Sequence, residues 1–188
     1  GESDGLLPLR SKWRDVERAA LSYGYGLSVS AVQLAQAYAV IANDGVKVPL
    51  TLKKVDQPPQ GEQVIGKATA RQLVQMLETV VSRVGTARRA QVPGYQVAGK
   101  TGTVHKVVNG GYADDNYIGL FAGLAPATDP RIVTVVVIDD PAGDAYYGGL
   151  VAAPAFSRIM SGVLRSLHVP PDKPDGLLAG GPDGEDRS

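Results

Sequence analysis

Between residues 30 and 45 the apolar positions recur at helical intervals. Ser30 is followed three residues later by Gln33, a capping-box spacing, and Leu34, Ala35, Tyr38, Ile41 and Ala42 then share a face up to Gly45. The pattern predicts a helix over about 31–43. Lys47 to Val55 alternates like a strand, is interrupted by Pro49 and closes at Gln57-Pro58-Pro59. A second helix is expected with Thr69 as its cap. Leu73, Met76, Leu77, Val80, Val81 and Val84 form its core-facing side, and Gly85 ends it.

From Tyr95 the period becomes that of strands. YQVAGKTGTVHKVV, a turn at Asn109-Gly110-Gly111, NYIGLFAGLAP, a turn at Thr128-Asp129-Pro130 and RIVTVVVIDDP succeed one another with short connections. Such spacing leaves room only for an antiparallel meander. Ile132 to Ile138 is apolar at nearly every position, which implies cover on both faces of the sheet. Pro154 near the start of a last helix, with Phe156, Ile159, Met160, Val163, Leu164 and Leu167 on one stripe, supplies part of that cover. The expected fold is α+β, one antiparallel sheet with helices on both faces. No internal repeat is present.

Composition narrows the function. The chain has 188 residues, enough for one domain with a sizeable core, and its 19 Lys and Arg balance 19 Asp and Glu. A neutral chain offers no basic footprint, so nucleic acid is not an expected partner. With no Cys and two His far apart in sequence, the chain can build neither a zinc knuckle nor a thiol nucleophile. The absence of Cys also suits an oxidising compartment. No apolar run approaches the roughly 20 residues that span a bilayer. GESDGLLP at Gly1 reads as a loop already under way, without a signal peptide, so the chain is taken as a piece of a longer protein. Residues 170–188, PDKPDGLLAGGPDGEDRS after Pro170, read as a disordered Pro/Gly-rich tail behind a domain of residues 1–169.

The chemistry centres on Lys100, which two patterns claim. GYQVAGKT, residues 94–101, matches the phosphate-binding pattern G-x-x-x-x-G-K-S/T letter for letter. That site needs a helix directly after the Lys, whose N-terminal amides hold the phosphates. The downstream segment is instead TGTVHKVVNGG, rich in β-branched residues and Gly with no helical stripe. The other pattern is Lys100-Thr101-Gly102-Thr103 on a strand edge. Chance gives this tetrapeptide in well under ~1% of chains of this length, taking each residue at about 5–7% usage.

With that motif the chain resembles the penicillin-binding transpeptidases, serine acyl-transferases whose third motif is K-S/T-G followed by S/T. SYGYGLSVSAVQLAQAYAVIANDG, FAGLAPATDPRIVTVVVIDDP and YYGGLVAAPAFSRIMSGVLR are similar to flanking segments of the class B, division-specific enzymes of Gram-negative bacteria. The resemblance covers residues 1 to about 170 and implies the C-terminal portion of a septal peptidoglycan D,D-transpeptidase domain. It implies binding of a D-Ala-D-Ala stem peptide and of β-lactams, contact with other division proteins and no metal or organic cofactor. It also places the domain on the periplasmic face of the inner membrane, anchored by an N-terminal helix that this chain lacks.

Residue by residue, the resemblance assigns Lys100 and Thr103 to catalysis, with the Thr103 amide as an oxyanion donor. Thr101 and Thr103, two apart on a strand, turn their hydroxyls to one side and are suited to holding a carboxylate. Gly102 between them leaves the backbone open to close approach. Lys100 brings a cation to the nucleophile; the bland reading is a solvated edge lysine. Aromatic residues beside the acyl site form a wall in class B enzymes, which points to Tyr25, Tyr117 and Tyr147 among Tyr23, Tyr25, Tyr117, Tyr146 and Tyr147, with plain packing the alternative for each. His105, two beyond Thr103, faces the same side and is either a carboxylate contact or an exposed histidine. His168 reads as a helix C-terminal cation, and Asp139-Asp140 as a turn or edge pair.

The family's nucleophile motif S-x-x-K and second motif S-x-N are not here: none of the ten serines has Lys three positions on or Asn two positions on. Both are expected in an upstream partner segment, without which this chain is expected to be inactive. Behind the transpeptidase reading stand a catalytically dead interaction module of the same fold and the P-loop nucleotide binder. A serine β-lactamase also carries K-T-G but lacks the long class B segment.

Overall fold

A computed structural model describes residues 3–8, 12–57, 59–108, 111–143 and 145–173. Residues 174–188 of the expected tail, and residues 109–110 of the Gly-rich turn, lie outside the described residues. In order come α1 (Asp15–Ser22), α2 (Ala31–Ala42), β1 (Val46–Lys47), β2 (Glu62–Gln63), α3 (Lys67–Val80), a 3-10 turn (Arg88–Ala90), β3 (Ala98–Val108), β4 (Gly111–Ala125), β5 (Ile132–Asp139) and α4 (Gly148–Ser166).

The main sheet has the order β3-β4-β5, antiparallel throughout, so the expected meander is present. Its register sorts the side chains by parity. Thr101, Thr103 and His105 pair with Phe121, Gly119 and Tyr117, and all of them share one face. That face carries the main core, in which Phe121, Phe156, Met160 and Leu164 are fully buried. Phe121 and Phe156 meet edge to face, centroids 4.7 Å apart, an arrangement worth about 0.5–1.5 kcal/mol beyond area burial. The opposite face holds Ala98, Leu124 and Val133 against Ala42 of α2 and Val74 and Leu77 of α3. Helices therefore cover both faces, as the unbroken apolar run of β5 requires.

The capping box of α2 forms as expected: the Ser30 hydroxyl accepts from the Gln33 amide at 3.2 Å, and the Gln33 side chain accepts from the Ser30 amide at 2.8 Å. Other expectations need correction. Of the segment Lys47 to Val55 only Lys47 is strand, in the pair Val46–Lys47 with Glu62–Gln63, because Pro49 has no N–H to continue the ladder. The cap of α3 is Gly66, whose carbonyl takes the Ala70 amide at 3.0 Å, so the helix starts before Thr69. Lys67 and Arg71, one turn apart, both pair with Asp44 at 2.7 and 3.0 Å and hold that first turn. The helix ends at Val80, ahead of Gly85, and Met76 and Val84 are exposed. The chain turns between Val80 and Gly85, so Val84 leaves the helical stripe.

The last helix begins at Gly148, six residues before Pro154, which lies inside it. Leu150, whose carbonyl the proline cannot bond, is exposed to water, and the buried Phe156, Met160 and Leu164 hold the helix together beyond it. Ile159 and Leu167 of the expected stripe are exposed. The short helix α1 was not among the expected elements, and an Arg14–Glu17 pair at 3.0 Å closes its start.

His168 stands just past the end of α4 rather than within its last turn, with φ +52. Its amide bonds the Arg165 carbonyl at 3.1 Å and the Val169 amide bonds the Leu164 carbonyl at 3.0 Å, a Schellman closure usually built on Gly. A left-handed L-residue costs about 1–2 kcal/mol, and the extra unfolded-state freedom of Gly returns about 0.5–1 of it. His168→Gly is therefore expected to stabilise the protein by about 0.5–1 kcal/mol, read as a raised thermal unfolding midpoint; a lowered midpoint would contradict this account of the closure.

Candidate active site

β3 is an edge strand among the described residues, so one side of Lys100–Thr103 has no strand beside it. Parity places Lys100 on the α2/α3 face and Thr101 on the α4 face. The lysine reaches round the open edge: its Nζ donates to the Thr101 carbonyl at 3.0 Å and to Thr101 Oγ1 at 3.3 Å. Thr101 Oγ1 also lies 3.2 Å from Thr86 Oγ1, in the loop after α3. The ammonium is exposed, ready for an anion or a hydroxyl brought to the edge.

Thr103 sits under the first turn of α4. Its Oγ1 accepts from the Gly148 amide at 3.0 Å, one of the orphan donors every helix start must satisfy. With a lone pair so engaged, the hydroxyl proton is directed elsewhere and can be donated to a bound oxygen. The approach of helix to strand is close. A Cβ on Gly148 would collide with the Leu120 and Gly102 carbonyls, and one on Gly119 would lie 2.6 Å from the Val151 side chain. Gly102 itself fills its own place in the ladder: a Cβ there would meet Leu120 at 2.9 Å.

Beyond Thr103 the same face continues as a run of rings. His105 stands 4.5 Å from Tyr117, Tyr117 stacks on Tyr146 at 4.0 Å, and Tyr146 stacks on Tyr147 at 4.5 Å. Tyr146 donates its hydroxyl to Tyr147 at 3.3 Å. That hydrogen bond, then the neighbouring phenol's charge, pushes the Tyr146 phenol up to about 12, so it remains a neutral donor across the working range. Tyr147, the residue before Gly148, is exposed.

The structure thus brings Lys100, Thr101, Gly102, Thr103, His105, Tyr117 and Tyr147 to one sheet edge. Tyr25 and Tyr23 are exposed in the turn after α1 and take no part in the ring stack. Sequence reasoning gave no role to Thr86 or Gly148 and ranked Tyr146 below its neighbours. The Gly-Gly pair at the head of an apolar helix, directly after Tyr-Tyr, was the available signal for a helix start pressed against a sheet. Lys100 and Thr101 lie inside a ladder strand, with no helix N-terminus after them, which removes the P-loop reading. Asp139, the last residue of edge strand β5, and Asp140, which turns the chain out of it, take the expected edge and turn places, and both also bind Lys106, at 2.9 and 2.7 Å.

An antiparallel sheet covered on both faces, with K-T-G-T on its open edge under the start of the last helix, defines the penicillin-binding transpeptidase fold. The penicillin-binding protein transpeptidase domain model matches residues 1–161, and the chain belongs to that family. It is 49% identical over 172 residues to the probable peptidoglycan D,D-transpeptidase PbpC of Pseudomonas aeruginosa, covering 92% of this chain and 30% of that protein. It is 46% identical to the peptidoglycan D,D-transpeptidase FtsI of Escherichia coli strain K12, covering 92% of this chain and 29% of that one. The apo transpeptidase domain of Burkholderia pseudomallei penicillin-binding protein 3 superposes with a TM-score of 0.84 at 48% identity, over 90% of this chain and 52% of that chain. The chain spans about 30% of the length of the curated relatives it matches.

The contact of Gly148 with the sheet gives a paired prediction. Gly148→Ala must displace backbone carbonyls and is expected to destabilise the protein by about 1–3 kcal/mol. Gly162→Ala, on the same helix with nothing within 4 Å of the new Cβ, is expected to stabilise it by about 0.5–1 kcal/mol. Chemical denaturation of the two variants checks the contrast, and equal shifts would show that helix propensity alone governs Gly148.

Proposed function

We propose that this chain is the K-T-G-T-bearing portion of a peptidoglycan D,D-transpeptidase that cross-links stem peptides at the division septum and is acylated by β-lactams. The observation that carries the reading is the placement of Lys100, Thr101 and Thr103 on an open strand edge, with Thr103 Oγ1 accepting from Gly148. The nucleophile belongs to an S-x-x-K segment outside residues 1–188. Its serine oxygen attacks the D-Ala-D-Ala carbonyl, the peptide bond breaks and D-Ala leaves with a proton. A stem-peptide amine on a neighbouring strand then takes the acyl group and the serine recovers its proton.

In this reading Lys100 supplies the cation beside the nucleophile, and Thr101 and Thr103 donate hydroxyl protons to the terminal carboxylate. The Thr103 amide serves the developing oxyanion, because an edge strand offers N–H groups without the cost of reorganising a side chain. His105, Tyr117 and Tyr147 line the ligand's flank, and Tyr25 has a place there only through the segment that completes the domain. The domain faces the periplasm from the inner membrane and meets other division proteins there. The transpeptidase activity in this reading, though not the location, accords with the name of the Escherichia coli relative as a peptidoglycan D,D-transpeptidase.

Mass spectrometry of the full-length protein after incubation with a penicillin is expected to show one covalent adduct, on a serine upstream of this chain. An adduct within residues 1–188, or none with S-x-x-K intact, would refute the reading and favour a catalytically dead module. In the same protein, Thr103→Val keeps the amide and loses the hydroxyl. Acylation is expected to slow by the equivalent of about 1.5–3 kcal/mol, the scale of a hydrogen bond to a charged group; unchanged kinetics would remove the hydroxyl from the mechanism.

A further inference from the structure

We propose that Lys106 is a positioning residue for the ligand-facing tyrosines: by binding Asp139 and Asp140 it holds the β5–α4 connection, and with it Tyr146 and Tyr147, against the motif strand. The inference rests on the transpeptidase reading for its ligand but on sheet register and side-chain contacts for its mechanism.

Lys106 lies where the β3–β4 ladder breaks. His105 pairs with Tyr117 and Val107 with Tyr112, so Lys106 has no partner in register and its side chain is free to act across the sheet. Val104, Ile118 and Asp139 form one row on the α2/α3 face, and Lys106, two residues beyond Val104, shares that face. Its Nζ spans β4 to reach Asp139 Oδ1 at 2.9 Å and Asp140 Oδ2 at 2.7 Å. Asn116 of β4 donates to the other Asp140 oxygen at 3.0 Å, and the Asp140 amide donates to the Tyr117 carbonyl at 3.0 Å. Asp140 is thus tied to the other two strands of the sheet while it turns the chain out of β5 with φ +48. Hydrogen bonding to Asp139 and Asp140 raises the Lys106 pKa, and the Lys106 and Asn116 bonds lower that of Asp140, so both remain charged over the neutral range.

The ties close a ring of contacts. From Lys106 it runs through Asp140 into the connection, through Tyr146 and Tyr147 to Gly148, and from the Gly148 amide to Thr103, three residues before Lys106. Inside the ring, His105 meets Tyr117 at a tilt, and Tyr117, Tyr146 and Tyr147 stack in sequence. Five residues separate Asp140 from Tyr146, so release of the near anchor leaves the two tyrosines held by their ring contacts and the far anchor. The far anchor, Gly148 on Thr103, fixes only one end. Because the carboxylates and the lysine are partly solvated, the clamp adds little to global stability. Its effect falls on where the rings stand.

The test uses the full-length protein with Lys106→Met, Lys106→Arg and Asp140→Asn, the last keeping a side chain tolerant of positive φ. Stopped-flow acylation by a chromogenic β-lactam separates the dissociation constant of the initial complex from the saturating acylation rate. Lys106→Met is expected to raise the dissociation constant about five- to tenfold, the low end of coupling between linked sites, with the saturating rate within about twofold and the unfolding midpoint nearly unchanged. Lys106→Arg should restore the wild-type value and Asp140→Asn should fall between. Near-ultraviolet circular dichroism, which reads the stacked phenols with no ligand present, should lose tyrosine intensity in Lys106→Met and keep it in Lys106→Arg. Unchanged binding and dichroism in both Lys106→Met and Asp140→Asn would overturn the proposal, as would a loss confined to the saturating rate. A wild-type protein that is not acylated would sink the transpeptidase reading, while the dichroism would still decide the role of Lys106.

Discussion

Everything at this sheet edge depends on how close α4 lies to the strands beneath it. The helix starts with two glycines, and at Gly148 no side chain fits between its backbone and the carbonyls of Gly102 and Leu120. That contact places the Gly148 amide on Thr103 Oγ1, so one helix donor and one motif hydroxyl satisfy each other. A hydroxyl that already accepts from inside the protein presents its proton outward. For the proposed carboxylate contact, that bond narrows the donor direction in advance, which is the condition for electrostatic preorganisation. Larger residues at the helix start would lift the helix, free the amide and leave the Thr103 hydroxyl to rotate.

The same closeness explains why the chemistry gathers from both faces of the sheet. Thr101, Thr103, His105 and Tyr117 project under α4, whereas Lys100 projects on the other side and comes back round the open edge to Thr101. A strand flanked on both sides could not allow this, because a neighbour would occupy the path of the lysine. The edge is protected from pairing with another chain by that charge and by the short exposed run it crosses. The ammonium on the rim guards the edge, and the same placement is the one the proposed site requires, so the bland and the functional readings of Lys100 call for one geometry.

The sequence was informative where period and chemistry coincide. The meander from Tyr95 to Asp140, the capping box at Ser30 and the K-T-G-T strand could be read directly, because β-period alternation, turn residues and a rare tetrapeptide each have a local cause. What failed were boundaries decided by tertiary contacts. Gly66 rather than Thr69 starts α3 because Lys67 and Arg71 find Asp44 across a loop, and α4 runs back through Pro154 to Gly148 because its first turn is held by the sheet. Neither contact leaves a mark in local propensity. The candidate site was legible as residue types on one strand, Lys100 to His105, with tyrosines drawn from other segments, but the place of Tyr146 was not, since its stacking on Tyr117 joins distant positions through a loop no periodicity constrains.

The C-terminal side of α4 completes the same design at the other end of the motif strand. After the Schellman closure at His168, the Val169 carbonyl accepts from the Tyr95 hydroxyl at 2.7 Å, and the Lys173 amide donates to the Gly94 carbonyl at 3.0 Å. Between them, Asp172 accepts from the Gln96 amide at 2.7 Å and the Thr128 hydroxyl at 2.8 Å. Residues 170–173, read from composition as the start of a tail, are thus part of the fold. These bonds fix the chain four to six residues before Lys100, while Gly148 and Lys106 fix it three and six residues after. Strand β3 is therefore held at both ends by segments flanking a single helix, with only its middle open to an incoming group. A strand anchored only at one end would fray from the other, and the least supported residues would be those with an open edge. Anchoring at both ends lets the exposed residues be the ordered ones, which is what a site built from backbone amides and short hydroxyl side chains demands.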